Sequence, residues 1–386
     1  MGETIERFRI EVPDAVLEDL QERLARTRFP DQIEGSGWGY GTDRAYLEEL
    51  CHYWREKFDW RAQEAALNRF EHFRTDIEGR AVHFIHARSR HDDALPLVIT
   101  HGWPGSVFEF HKIIGPLCDP EAHGGSAADA FHVVCPSMPG YGWSDPPREP
   151  GFDVQRVAEV VAKLMARLGY ARYGAQGGDW GAIVTTLLGR IDPQHVCGIH
   201  LNMVVAGPPP GVANPAEGLA PHELEALASM GEFQKNETGY QQIQGTKPQT
   251  LGYALNDSPA GLAAWIVEKF RTWSDCDGDV ERCFTKDELL TNIMIYWVTQ
   301  SITASTRLYC ETMRAGRFGP ADGRVEVPTA GAIFPKEIIR PPRAWAERAF
   351  DIRRWTRFEA GGHFAALEQP EALVEDLRAF YRDLRT

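Results

Sequence analysis

The chain reads as an α/β protein: a mostly parallel central sheet with helices on both faces, a helical lid inserted into it and a helical extension before it. Three observations predict this. Short apolar runs alternate with amphipathic stretches, the pattern of strands buried on both faces and joined by helices. The alternation stops at Gly207-Pro208-Pro209-Pro210-Gly211, gives way to a long helical stretch, and resumes at Val325. Apolar runs also end on turns rich in Gly, Pro and Trp, and on parallel sheets such carboxyl ends carry the active site. The divisions expected are 1–70 for the extension, 71–206 for the first part of the core, 207–319 for the lid and 320–386 for the second part of the core.

Val16, Leu17, Leu20 and Leu24 recur at helical spacing behind Asp14, a plausible N-cap, and Pro30 stops the run. A loop from Gly35 to Gly41 and a second amphipathic helix from Tyr46 to Trp54 follow, with no strand beside either. Phe73 to Ile77 and Ala81 to His86 flank Glu78-Gly79 as a hairpin. Leu95 to Thr100 runs into His101-Gly102-Trp103-Pro104-Gly105, and Phe131 to Cys135 into Pro136-Ser137-Met138-Pro139-Gly140-Tyr141-Gly142. Val154 to Leu168 is an amphipathic helix. A strand at Tyr173, a helix from Gly181 and a strand from Val196 to Asn202 complete the first part. After the lid come a strand from Val325 to Phe334, a helical piece at Ala344 to Arg348, a strand near Trp355 to Glu359, and a last helix carrying Leu373, Leu377, Phe380 and Leu384.

The 386 residues carry a net charge of −14, which disfavours nucleic acid and anionic membrane surfaces as partners. No apolar run approaches the ~20 residues of a membrane span, and the N-terminus lacks a signal-peptide pattern. Seven scattered cysteines, none in a CxxC pair, fit reduced thiols in a cytoplasmic enzyme. No metal or cofactor is expected. Asp275-Cys276-Asp277-Gly278-Asp279 looks calcium-like, but Val280 stands where the loop needs glycine and Lys286 where it needs glutamate.

The most telling segment is Gly177-Gly178-Asp179-Trp180-Gly181, between the Tyr173 strand and the next helix. It has the glycine-x-nucleophile-x-glycine frame of an α/β-hydrolase elbow, with aspartate where serine is usual. The residue type narrows the chemistry. A serine alkylated at carbon would leave an ether that water does not readily cleave, whereas an alkylated carboxylate is an ester whose carbonyl water can attack. An enzyme opening a carbon electrophile, such as an epoxide or alkyl halide, is therefore expected, with a helix-capping aspartate as the plainer reading. His363, after Gly361-Gly362 at the end of the last strand, is the expected base. Glu337, on the loop after Phe334, is the expected orienting acid, with Asp351 as the alternative. The order nucleophile, acid, histidine is that of α/β-hydrolases. His101 is read as a structural imidazole at a backbone turn.

Four segments make the pattern specific: His101-Gly102-Trp103-Pro104-Gly105-Ser106, Gln176-Gly177-Gly178-Asp179-Trp180-Gly181, Phe334-Pro335-Lys336-Glu337 and Gly361-Gly362-His363-Phe364-Ala365-Ala366. With Arg28-Phe29-Pro30, Trp38-Gly39-Tyr40-Gly41 and Asp59-Trp60-Arg61, they resemble the microsomal-type epoxide hydrolases over nearly the whole chain. Membrane-bound members of that family carry an apolar N-terminal anchor, and this chain is expected to correspond to their soluble part. The resemblance implies two lid tyrosines that periodicity does not choose from the eleven present, Tyr240 and Tyr309. It also implies a cis Trp103-Pro104 bond. The backbone N–H groups of Trp103 and Trp180 are the expected oxyanion hole.

The expected function is cofactor-independent conversion of an epoxide and water to a vicinal diol through an alkyl-aspartyl ester. A haloalkane or haloacid dehalogenase on the same scaffold, or a non-catalytic ligand-binding protein, are the competing readings. An aromatic or natural-product epoxide is the favoured substrate, since bacterial members similar to this chain act in pathways such as enediyne biosynthesis; detoxification is the other role, and a homodimer the family's expectation.

Overall fold

A computed structural model of the chain describes residues 4–319 and 323–385. Its elements, in order, begin with β1 (Ile5–Phe8), α1 (Asp14–Ala25), α2 (Arg44–Glu56), α3 (Trp60–Leu67), β2 (His72–Ile77), β3 (Arg80–Ala87), β4 (Leu95–Thr100), α4 (Ile114–Cys118) and β5 (Phe131–Pro136). Then come α5 (Val154–Arg167), β6 (Tyr173–Gly177), α6 (Trp180–Ile191) and β7 (Val196–Leu201). Six helices follow: α7 (Pro221–Asn236), α8 (Gly239–Thr246), α9 (Pro248–Leu255), α10 (Pro259–Trp273), α11 (Lys286–Thr299) and α12 (Ile302–Arg314). The chain closes with β8 (Val325–Ile333), α13 (Arg343–Ala349), β9 (Phe350–Arg357), α14 (Ala365–Glu368) and α15 (Pro370–Arg382).

The strands form one nine-stranded sheet in the order β1-β2-β3-β5-β4-β6-β7-β8-β9. Pairing is antiparallel from β1 to β5 and parallel from there to β9. The central strands are largely apolar and buried because helices cover both faces. Val98, Ile99, Val133, Val134, Ala175 and Ile199 are all fully buried. Helix α5 packs Val157, Val160, Val161 and Leu164 inward, the face its periodicity predicts. No helix among the described residues is long and apolar enough to cross a membrane.

Some elements differ from the sequence reading. Strand β1 lies at the sheet edge, antiparallel to β2; four residues, three of them exposed, give no period to read. Asp14 does not cap α1: Pro13 holds that position, and the Asp14 carboxylate pairs with Arg61 in the first turn of α3. The strand expected near Trp355 starts earlier, at Phe350, because α13 ends directly on it. The expected boundary at 320 lies outside the described residues.

Helices α8 to α12 are tied to the sheet's carboxyl edge by polar contacts. Tyr296 on α11 donates to the Gly105 carbonyl at 2.6 Å, and Asn292 donates through Nδ2 to the Pro104 carbonyl at 2.7 Å. The N-terminal helices grip the outside of the same layer. Thr42 donates to the Ala264 carbonyl at 2.7 Å, Tyr53 to Asp287 at 2.9 Å, and the Arg271 guanidinium lies over the Trp38 ring.

Candidate active site

Asp179 leaves β6 with φ 50° and ψ −129° and is followed at once by the first residue of α6. Only crowding-free neighbours permit such a turn. A Cβ on Gly177 would meet the Gly181 carbonyl oxygen at 2.1 Å, and one on Gly181 would meet the Thr100 carbonyl oxygen at 1.8 Å. The glycines of the elbow are therefore required by close backbone approach.

The turn projects the Asp179 carboxylate between two different partners. The backbone N–H of Trp103 donates to Oδ1 at 2.8 Å. His363 Nε2 faces Oδ2 at 3.5 Å. Behind the imidazole, Nδ1 lies 2.8 Å from Glu337 Oε1 and 3.1 Å from Oε2. Glu337 is itself buried, and its Oε1 also accepts from the Ile338 N–H at 2.7 Å. Burial opposes a charge on His363, but the Glu337 charge and hydrogen bonds to Asp179 and Glu337 outweigh it and hold its pKa well above the ordinary histidine value. Asp351, the alternative acid, is committed elsewhere, to Arg353 at 2.8 Å.

The histidine loop is pinned by contacts that motif reading does not reach. The His363 N–H donates to the Trp273 carbonyl at the end of α10, at 2.9 Å. The Gly361 N–H donates to Asp275 Oδ2 at 2.9 Å, and the Phe364 N–H to Glu368 Oε1 at 2.9 Å. The carboxylate of the calcium-like segment thus holds the histidine loop. The bridge between Lys336 and Gly362 joins this loop to that of Glu337.

Tyr240 on α8 and Tyr309 on α12 converge from the inserted helices. Their rings are 5.9 Å apart; Tyr240 stacks on Trp103 at 5.3 Å, and Tyr309 packs edge-on against Trp180 at 4.7 Å. Burial above all raises the pKa of both phenols; the Asp179 charge comes next for Tyr240, while for Tyr309 it follows Tyr240, so each holds its proton at neutral pH. Trp273 adds a further wall, its ring 5.1 Å from His363. The Trp103-Pro104 bond is cis. His101 is buried, its Nδ1 3.0 Å from the Gly102 carbonyl and its Nε2 accepting from the Met138 N–H at 3.3 Å. Burial pushes its pKa down to about 4, so it stays neutral and braces two loops.

All seven site residues expected from the sequence therefore meet at one end of the sheet. Sequence reasoning missed Trp273, Asn292 and Tyr296, which look like ordinary helix residues, and Glu109. The last gave a signal: a lone charge inside Val107-Phe108-Glu109-Phe110.

A strand-to-helix elbow bearing a carboxylate, faced by a buried histidine–glutamate pair at the sheet's carboxyl edge, defines an α/β-hydrolase with aspartate in the nucleophile's place. Residues 95–301 match the family described as alpha/beta hydrolase fold, and residues 5–110 match Epoxide hydrolase N terminus. The chain belongs to the epoxide hydrolases, enzymes that add water to an epoxide. Epoxide hydrolase 1 of Oryctolagus cuniculus is 41% identical, covering 98% of this chain and 89% of its own length. Juvenile hormone epoxide hydrolase 1 of Ctenocephalides felis is 37% identical, covering 97% and 85%. The crystal structure of juvenile hormone epoxide hydrolase from the silkworm Bombyx mori superposes with a TM-score of 0.92 at 34% identity, covering 99% of this chain and 95% of that one.

Proposed function

We propose that the chain hydrolyses its epoxide in two half-reactions through an ester of Asp179. One observation carries this reading: the two carboxylate oxygens have different partners, Oδ1 on the Trp103 N–H and Oδ2 before His363. Oδ2 attacks an epoxide carbon while Tyr240 and Tyr309 hydrogen-bond the epoxide oxygen, and one phenol protonates it as the carbon–oxygen bond breaks. Oδ1 becomes the ester carbonyl, already on a backbone donor. His363 Nε2 then takes a proton from a water whose oxygen bonds to the ester carbonyl carbon, with Glu337 holding the imidazole and stabilising its charge. The oxyanion rests on the N–H groups of Trp103 and Trp180. Collapse breaks the ester carbon–oxygen bond; the diol leaves with the proton from His363, and the proton left on Asp179 balances the one that a phenol gave to the epoxide oxygen. No metal or cofactor enters the balance.

The test is a single turnover, enzyme in excess, in heavy-oxygen water. The diol should be unlabelled and the peptide containing Asp179 should carry the label. Label in the diol and none in Asp179 after repeated turnovers would exclude the ester.

We further infer an aryl-substituted epoxide as substrate, because the rings of Trp103, Trp180, Trp273, Tyr240 and Tyr309 crowd together around the carboxylate and favour edge and face contacts with an aromatic group. Turnover of aliphatic epoxides with none of styrene-oxide-like ones would overturn it. A cytoplasmic setting, a homodimer and a natural-product role are expectations for cell fractionation, sedimentation and a substrate panel to test.

A further inference from the structure

Asp179 has a second side. Away from the tyrosines, a small enclosed cavity lies behind the carboxylate, lined by Thr100, Glu109, Gln176, Asn202 and His363. The cavity holds about 20 Å³, where a bound water needs about 10–15 Å³. Its walls are polar and incompletely partnered. Gln176 donates through Nε2 to Asn202 at 2.8 Å, but Gln176 Oε1 and Thr100 Oγ1 are buried with no partner among the described residues. Thr100 is 0% and Gln176 2% exposed, so these orphan atoms point to a bound water rather than to bulk solvent.

Glu109 brings the one carboxyl group in that wall other than Asp179 itself. It sits four residues past Gly105, and that glycine makes room for it: a Cβ there would meet Glu109 Oε1 at 1.5 Å. A carboxyl group turned toward the nucleophile, where the glycine admits it, is an expensive arrangement for mere packing.

We propose that Glu109 is a second catalytic partner of the hydrolytic water: it and His363 hold that water in the cavity behind Asp179, and Glu109 receives the proton that His363 does not. This rests on the ester mechanism above and deepens it. The water oxygen bonds to the ester carbonyl carbon, and one proton goes to His363 Nε2. The hydrogen left on the new hydroxyl stays bonded to Glu109. When the diol departs with the proton from His363, Asp179 would be left as a carboxylic acid, and that proton passes to the Glu109 carboxylate. Electrostatics runs the cycle in this direction. Burial raises the Glu109 pKa to about 8, with the His363 charge lowering it, the Asp179 charge raising it and the backbone amides of Gly102 and Ser106 lowering it. With Asp179 anionic, Glu109 therefore holds a proton at neutral pH. Esterification removes the Asp179 charge, one of the two influences that raise the Glu109 pKa, and so favours release of its proton; that release matches the proton a phenol gave to the epoxide oxygen. Besides Asp179 and His363, among the described residues the Tyr296 phenol interacts with the Glu109 charge and His101 lines the same cavity.

The experiment is rapid-quench kinetics with mass detection of the covalent ester, on the wild type, E109Q and H363Q, using styrene oxide. E109Q should form the ester within about two-fold of the wild-type rate but hydrolyse it at least ten-fold more slowly, so that ester accumulates. The hydrolysis step of the wild type should gain rate through an ionisation that E109Q lacks. Q176L, which removes an amide from the same wall, should slow the same step and serves if E109Q does not fold. Equal slowing of both half-reactions would mark Glu109 as merely structural and overturn the proposal. So would ester trapped in H363Q with wild-type hydrolysis in E109Q, which leaves the ester mechanism standing. No ester in H363Q would overturn the mechanism and this inference together.

Discussion

The Trp103 N–H donates to Asp179 Oδ1 at 2.8 Å, so a backbone donor already stands where, in the proposed mechanism, the ester carbonyl oxygen gathers charge during hydrolysis. The donor is fixed before substrate arrives. Its loop is held from the inserted helices by Asn292 and Tyr296, and the elbow by glycines packed against backbone. Preorganised donors of this kind cost no rearrangement in the transition state.

Gly102 lets that donor approach. An added Cβ would lie 2.2 Å from Asp179 Oδ1 and 2.3 Å from Asp179 Cβ, a contact neither rigid neighbour can relieve. G102A should destabilise the fold by about 1–3 kcal/mol. Because the clash falls on Asp179, the proposed nucleophile, it should also lower kcat/KM on the order of 10²-fold, beyond what lost folding explains. Activity per folded molecule, from urea titration alongside steady-state kinetics, separates the two; wild-type activity in a folded G102A would refute the geometry.

Glu337 should matter to the second half-reaction more than the first. E337Q retains a hydrogen-bonding group at His363 Nδ1 but loses the charge. Ester hydrolysis should slow on the order of 10²- to 10⁴-fold while ester formation changes little. The pH profile has a definite sign. His363 must be neutral to accept the water's proton; burial opposes its charging, and Glu337 and Asp179 together override burial. Removing one of those charges lowers the histidine pKa, so the rising limb of hydrolysis in E337Q should move to lower pH even as its plateau falls. A limb that stays put would mean Glu337 does not act through His363.

A second buried imidazole pair governs acid stability, not chemistry. His200 Nε2 lies 3.0 Å from Asp376 Oδ2, while Arg354 and Thr356 donate to Oδ1. Burial opposes ionisation of Asp376, but hydrogen bonds with His200, Thr356 and Arg354 take its pKa down to about 2. A depressed carboxylate pKa gives stability that is present above its ordinary value of about 3.9 and is lost as pH falls through about 2. D376N should therefore be less stable than the wild type near neutrality by about 3 kcal/mol. The gap should narrow between about pH 4 and pH 2. Denaturant midpoints across that range test it; a constant gap would refute the linkage.

Asp179, Glu337 and His363 were legible in sequence because each follows a strand and stands in a glycine- or proline-marked turn, where local chemistry dictates backbone shape. Strand β1 was not, since Ile5–Phe8 owes its conformation to pairing with β2 rather than to its own pattern. Tyr240 and Tyr309 were invisible to periodicity for a related reason. They are 4% and 2% exposed, so by pattern they are core aromatics; only the way α8 and α12 fold over the sheet brings them to one carboxylate. Trp273 reaches His363 through a backbone carbonyl, which no side-chain motif encodes.

In the proposed mechanism the tyrosines decide between an epoxide and other carbon electrophiles, and phenylalanine is the fitting replacement. It preserves the stacking of Tyr240 on Trp103 and the edge contact of Tyr309 with Trp180, and removes only the hydroxyl. If either phenol can bind the opening oxygen while the other donates, Y240F and Y309F should each slow ester formation by about 10- to 100-fold. With both hydroxyls gone the leaving alkoxide has neither donor nor proton, and the double variant should fall by about 10⁴-fold or more. Ester hydrolysis, which His363 drives, should be nearly untouched in the single variants. Rapid-quench measurement of both steps distinguishes these effects. Undiminished ester formation in the double variant would remove the tyrosines from the mechanism, and if the same variant still released halide from an alkyl halide, the aspartate would be serving a different leaving group.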